Sequence, residues 1–323
     1  MQPAFKIIAD SVDITNKIKD RLLGITITDE AGFQSDTVQI KLDDRDNLIA
    51  WPKLAAKLEI YIGYNNQNLV KTGIYVVDEI EHSSPPDSMT ITAKAADMLE
   101  SLKAPNTRSW DKITIADIVQ AIASQNALMA KISDSLGSIR LEHTDQTEES
   151  DLHFLTRIAK SYDAIAKPVN GYLVFVPKGQ AKSVSGIKLP IIYIDKTKLT
   201  SYRMTQAERG KYQSVKASYH DQQLAKKVTV SAGQGEPIYT IRHNYPDELS
   251  ASKAAQTKLL QFQRGTAILS ITMPGNSKLQ AEGKISLTSI RDPVAGEWLI
   301  KSVEHQLDSS GFSTRCECEI PSN

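Results

Sequence analysis

Six histidines and two cysteines have the widest chemical reach in this chain, and their spacing directs them away from metal chemistry. His82, His143, His153, His220, His243 and His305 form no His-Glu-x-x-His pair or other close ligand spacing. Cys316 and Cys318 are separated by one residue in a strand-like tail. That spacing puts their Cα atoms roughly 6.5 to 7 Å apart, near or beyond the reach of a disulfide, so they read as two small residues on one strand face. Gly233-Gln234-Gly235 begins like a phosphate cradle, but Ile238 stands where a third glycine belongs and Pro237 blocks a helix start; it reads as a turn. Two Ser-x-x-Lys matches, at Ser109 and Ser250, both follow Lys71-Thr72-Gly73, the wrong order for a penicillin-recognising enzyme, and no Gly-x-Ser-x-Gly elbow is present. The run Asp43, Asp44, Arg45, Asp46 lacks the glycine and distal glutamate of a calcium loop and reads as a solvated turn. Nothing singles out a carboxylate pair for glycoside hydrolysis. No catalytic residue, metal or cofactor is expected.

The elements that would position such groups change character along the chain. Over the first hundred residues apolar residues alternate: Val38, Ile40 and Leu42; Leu58, Ile60 and Ile62; Met89, Ile91 and Ala93. That predicts short antiparallel strands. After Trp110 the period becomes helical, with Ile115, Ile118, Val119 and Ile122 on one face and a capping box from Thr114 to Asp117. A second helix is expected over TEESDLHFLTRIAKSYDA, with Glu148, Glu149 and Asp151 in its first turn against the helix dipole. Strands follow at 172–176 and 191–194. From about residue 212 the period returns to two, broken by a helix at 249–264 that Gly265 ends. The expected fold is β-rich α+β, in three parts: a first β-module at 1–103, a mixed α+β domain at 104–205 and a second β-module at 206–323 that contains the 249–264 helix.

With 323 residues, a prior of roughly 150 per domain gives about two domains, or three small ones. The 38 basic residues match 38 acidic ones with no long run of either sign, which argues against a phosphate-gripping surface for nucleic acid or anionic lipid. No stretch approaches 18 apolar residues, so a soluble product without a membrane span is expected.

One pattern survives the search. Residues 73–82 read GIYVVDEIEH and residues 296–305 read GEWLIKSVEH: glycine, any residue, aromatic, two aliphatics, two variable, aliphatic, Glu, His. The matched positions are Gly73, Tyr75, Glu81 and His82 with Gly296, Trp298, Glu304 and His305. Each segment follows an alternating strand and precedes another, so one β-hairpin is expected to be used twice, as a structural repeat rather than an active site. A hairpin that small cannot bury its own face, and a small barrel around each copy would complete it.

The wording of the chain, through DRLLGITITDEAGFQSDTVQIKLDDRD, TGIYVVDEIEHSSPPDSMTITAKAADM, DQTEESDLHFLTRIAKSYDAIAKP and GEWLIKSVEHQLDSSGFSTRCECEI, closely resembles the late control protein D family of contractile-tailed bacteriophages. The resemblance covers nearly the whole chain and is most distinctive at 36–46, 85–97 and 146–160. It implies a non-enzymatic baseplate hub, similar in fold to the N-terminal part of type VI secretion spike proteins. Such hubs are homotrimers that join the hexameric tail tube, or its initiator protein, to the trimeric tail spike, with the tape-measure protein as a further partner. It implies assembly in the host bacterial cytoplasm and residence in the virion tail, whether of a phage, a prophage or a tail-like bacteriocin. Two barrels per chain in three chains would give six similar units against a sixfold tube. The competing functions are a tail-associated cell-wall hydrolase and a DNA-binding late-gene regulator; the neutral charge and the missing helix-turn-helix pattern argue against the regulator.

Overall fold

Period-two sequence becomes strand in the computed structural model, which describes residues 2–32, 36–95, 100–169, 171–179, 189–207, 212–221, 225–245, 247–264 and 267–321. The N-terminal third holds β1 (Pro3–Ala9), β2 (Val12–Asp13), the short helix α1 (Thr15–Ile18), β3 (Leu22–Glu30), β4 (Thr37–Asp43), β5 (Lys57–Tyr64), β6 (Val70–Ser83) and β7 (Ser88–Ala95). Val38, Ile40 and Leu42 of β4 face a buried cluster while Gln39 and Lys41 between them are exposed, as the alternation requires.

The middle of the chain is mixed: α2 (Glu100–Lys103), β8 (Pro105–Thr114), α3 (Ile115–Gln125), β9 (Met129–Ile132), α4 (Asp134–Gly137), β10 (Arg140–Ser150), α5 (Asp151–Ser161), β11 (Ala164–Val169) and β12 (Tyr172–Pro177). Thr114 and Asp117 form the expected capping box of α3, whose Ile115, Ile118, Val119 and Ile122 are buried. The second expected helix begins later than its sequence suggests. Glu148 and Glu149 belong to β10, which pairs with β8 as far as Ser150, and only Asp151 lies in the first turn of α5. Glu149 instead receives His153 and Arg157 from the helix, so its charge is met by side chains rather than by the dipole.

The remainder comprises β13 (Ile192–Asp195), β14 (Ser201–Gln206), β15 (Ser214–Asp221), β16 (Lys226–Gly233), β17 (Ile238–Tyr245), α6 (Glu248–Arg264), β18 (Ala267–Pro274), β19 (Lys284–Thr288), β20 (Gly296–Asp308) and β21 (Gly311–Glu319). Gly265, the expected helix stop, lies outside the described residues. Between β14 and β18 the chain builds a separate sheet, β16-β15-β17, on which α6 packs through Ala251 and Ala255.

Most strands join one 13-stranded sheet. Its order is β14-β18-β21-β20-β3-β4-β7-β6-β5-β1-β2, with β19 branching from β20 and β13 pairing with β19. Closed barrels were expected; among the described residues no ladder joins β3 to β1 or β14 to β13. The two β-rich ends are instead stitched together, because residues 302–308 of β20 take residues 24–30 of β3 as a second partner. Ion pairs tie the middle of the chain to both ends. Lys167 on β11 reaches Asp36 at 2.7 Å, and Arg264 of α6, 3% exposed, meets Asp163 and Glu319. Pairing inside the protein is what makes such burial tolerable.

Candidate assembly surface

The two matched segments are the long strands β6 and β20, and their surroundings agree position by position. Gly73 lies opposite Ile60 of β5, and Gly296 opposite Leu287 of β19. Tyr75 and Trp298, next but one, are both buried, opposite Leu58 and Ile285. The Trp298 indole N–H donates to the Val294 carbonyl at 2.9 Å, the polar partner a buried tryptophan needs. Both strands slip register against their hairpin partner at the same place, between Val77 and Glu79 and between Ile300 and Ser302. Two adjacent polar residues break the alternation there, Asp78-Glu79 and Lys301-Ser302, which is the trace a bulge leaves in a sequence.

The turn entering the preceding strand is also shared. The Ala55 amide donates to the Val77 carbonyl at 2.9 Å and the Val77 amide to Ala56 at 3.0 Å; Glu282 and Gly283 do the same to Ile300, each at 2.9 Å. Ala55 and Glu282 both sit in the left-handed region, at φ 62° and 66°. Six-strand orders follow from this: β3-β4-β7-β6-β5-β1 at one end and β14-β18-β21-β20-β19-β13 at the other. They differ in one ladder, since β1 runs antiparallel to β5 whereas β13 runs parallel to β19.

Beyond the bulge the two strands part company. Glu304 is flanked by Arg315 of β21 and Thr28 of β3; Glu81 has Thr90 of β7 on one side and, among the described residues, no strand on the other. His305 is 5% exposed, its ring held between the Thr314 hydroxyl at 2.9 Å and the Leu279 carbonyl at 3.3 Å, and burial pushes its pKa down to about 4. His82 is exposed, 3.3 Å from the Asp44 carboxylate. Asp44 itself is buried and accepts the Ile49 amide, so the acidic run 43–46 is not simply a solvated turn: it anchors the loop between β4 and β5. That loop carries Leu48, Trp51 and Leu54, exposed by 75%, 62% and 64%. Its counterpart between β18 and β19 is packed down, with Leu279 and Ala281 buried, the Ala281 amide on Asp29 and the Glu282 carboxylate accepting from Gly32. Burial pushes the Asp29 and Glu282 carboxyls up to about 6 and about 7.

Elsewhere, one described cluster brings a serine, a histidine and two carboxylates together. The Ser109 hydroxyl donates to Asp145 at 2.5 Å, and His143 sits between Asp145 and Asp111; the serine thus meets a carboxylate rather than the imidazole, and all are exposed. That is not the hydrogen-bonded nucleophile and base of an acyl-transfer site. Among the described residues no three His, Cys, Asp or Glu side chains are grouped to hold a metal, and no helix is long and apolar enough to cross a membrane. Cys316 and Cys318 are both buried and free on β21.

Known proteins resemble the chain over nearly its whole length. Probable baseplate hub proteins of Escherichia phages P2 and 186 are each 32% identical to it over 99% of its length, covering 94% and 93% of their own. Among solved structures, the 43 kDa tail protein of prophage MuSo2 from Shewanella oneidensis matches 99% of both chains with a TM-score of 0.74, and a tail protein from Neisseria meningitidis covers 99% and 97% at 0.68. An E. coli component of the type VI secretion system matches 94% of this chain and 74% of its own at 0.57. At 13% identity these three likenesses concern the fold. The sequence model of the phage tail baseplate hub (GPD) matches residues 35–311, and with relatives of this identity over the whole length the chain belongs to that family.

Proposed function

We propose that this baseplate hub protein works as a homotrimeric adaptor, without catalysis, between the hexameric tail tube and the trimeric spike. The reading takes a first β-module to about 103, an α+β middle after it and a second β-module, whose six-strand order draws β13 and β14 from just before the expected boundary at 205. Three chains then offer six comparable modules to a sixfold partner, while the middle parts meet the threefold one. The observation that carries this is the repeated six-strand order at the two ends of one chain. Tube-initiator and tape-measure proteins are the neighbours expected on the module side, in a virion tail assembled in the bacterial cytoplasm. An adaptor of this kind acts through large permanent interfaces, typically above about 2,000 Å² each.

Native mass spectrometry of the purified protein, alone and with its spike, tests the stoichiometry. The expected species has three times the 35.6 kDa chain mass. Two- or four-chain species under every condition contradict the reading, as does hydrolysis of purified peptidoglycan by the folded protein.

A further inference from the structure

Inside one chain the two β-modules meet through one surface of each, the far part of β20 against β3. Residues 302–308 of β20 add to β3 of the first module, and the β18–β19 loop folds down over the end of that strand. The equivalent surfaces are left open. Among the described residues, 79–83 of β6 pair only with β7, β14 pairs only with β18, and the apolar loop bearing Leu48, Trp51 and Leu54 stands exposed beside the free part of β6, with the Trp51 ring 6.5 Å from that of His82. Unpaired edges recruit strands, and three exposed large apolar side chains on one loop mark a surface that becomes covered.

We infer that the β6 edge of one copy takes the β14 edge of the next, antiparallel, repeating between chains the β20–β3 ladder found within each chain. The inference rests on the trimer reading and adds the contact and its register. Register follows from the ladders. Ile80 lies opposite Ile91, Ile91 opposite Ile40 and Ile40 opposite Ile25; Val303 lies opposite Cys316, Cys316 opposite Ile271 and Ile271 opposite Tyr202. Tyr202 therefore occupies in its module the place of Ile25, and Thr205 that of Thr28. Since Glu304 faces Thr28 within the chain, Glu81 faces Thr205 of the neighbouring copy.

Charge favours the match. The free part of β6 carries Glu79 and Glu81, whereas β14 carries Arg203 and follows Lys196 and Lys198. The contact joins unlike edges, so it repeats head to tail and closes as a ring. One difference is instructive. The β20–β21 hairpin buries Leu307 and Phe312 in the first module, whereas the β6–β7 tip reads Ser-Ser-Pro-Pro-Asp. A tip that must stay soluble until a partner arrives is polar, and its apolar contribution comes from the neighbouring loop.

Cysteine pairs at exposed positions test the register. Within one chain six strands separate β6 from β14, so a link between them has to join two copies. Under mild oxidation, E81C/T205C should form covalent multimers at least tenfold faster than either single variant. Mixing the E81C and T205C single variants should give a two-chain product. The pair E81C/R203C, displaced by two residues on the same face, lies beyond disulfide reach and should link at a small fraction of that rate. Parent-like melting curves establish that the variants fold. A three-chain species in native mass spectra whose E81C and T205C thiols stay free overturns the pairing and leaves the trimer standing. A chain that stays single in native spectra, with its spike present, and forms no link overturns both.

Discussion

His82 and His305 occupy the same register in matched strands, yet one is exposed beside Asp44 and the other is sealed between Thr314 and Leu279. Their hairpins differ in the residue opposite, Thr314 beside His305 and Met89 beside His82. The second strand alongside differs as well: β3 covers β20 beyond its bulge, and among the described residues no strand covers β6 there. One module is finished by its own chain and the other is left unfinished. The same local structure can therefore act as interior in one place and as a surface for another copy in the other.

The sharpest way to break the comparison is to remove the buried aromatic from each strand. Tyr75→Ala and Trp298→Ala should each cost about 3–5 kcal/mol in urea unfolding, as large-to-small changes in tight cores do. If only one of the two is costly, the modules are not equivalent in their cores. Next comes acid. Because burial lowers the His305 pKa to about 4 from an ordinary value near 6.5, the unfolded chain takes up the proton first, and stability is lost as pH falls from about 6.5 towards 4. His305→Gln should flatten that slope, which is of order 3 kcal/mol, in denaturation series at pH 7 and pH 4.5.

A somewhat smaller effect of opposite sign belongs to Glu282. Its carboxyl is raised to about 7, so the stability it brings is present below about pH 4 and is lost as pH rises through 7. Glu282→Gln keeps an acceptor for Gly32 and should stabilise the protein by about 2 kcal/mol at pH 8 while changing little at pH 4. The least effect on the single chain is expected at Trp51: W51S should leave its unfolding within about 0.5 kcal/mol while lowering the three-chain fraction in native mass spectra. A large loss of single-chain stability would place Trp51 in a core and weaken the contrast between the two loops.

Much of this fold was legible in the sequence because the buried faces keep period. The Thr114 capping box, the α3 stripe and the Gly73–His82 and Gly296–His305 correspondence all rest on local spacing. The start of α5 was misplaced because Glu148 and Glu149 suit a helix N-terminus as well as they suit an exposed strand, and pairing with β8 decides between them. The β20–β3 ladder was invisible, since backbone groups rather than side chains form it. Asp44 looked solvated among charged neighbours although it is buried beneath its loop. Whether an edge is paired or open leaves no trace in alternation, so the surface that distinguishes the two modules emerged only from the strand order.

Cryo-electron microscopy of the hub assembled with its spike and tube tests the central claim most directly. The expected map contains three chains whose six β-modules form a ring, with β6 of each chain beside β14 of the next and Glu81 facing Thr205. A hub in which those two strands remain at solvent, or in which the modules of the three chains meet no common ring, contradicts it.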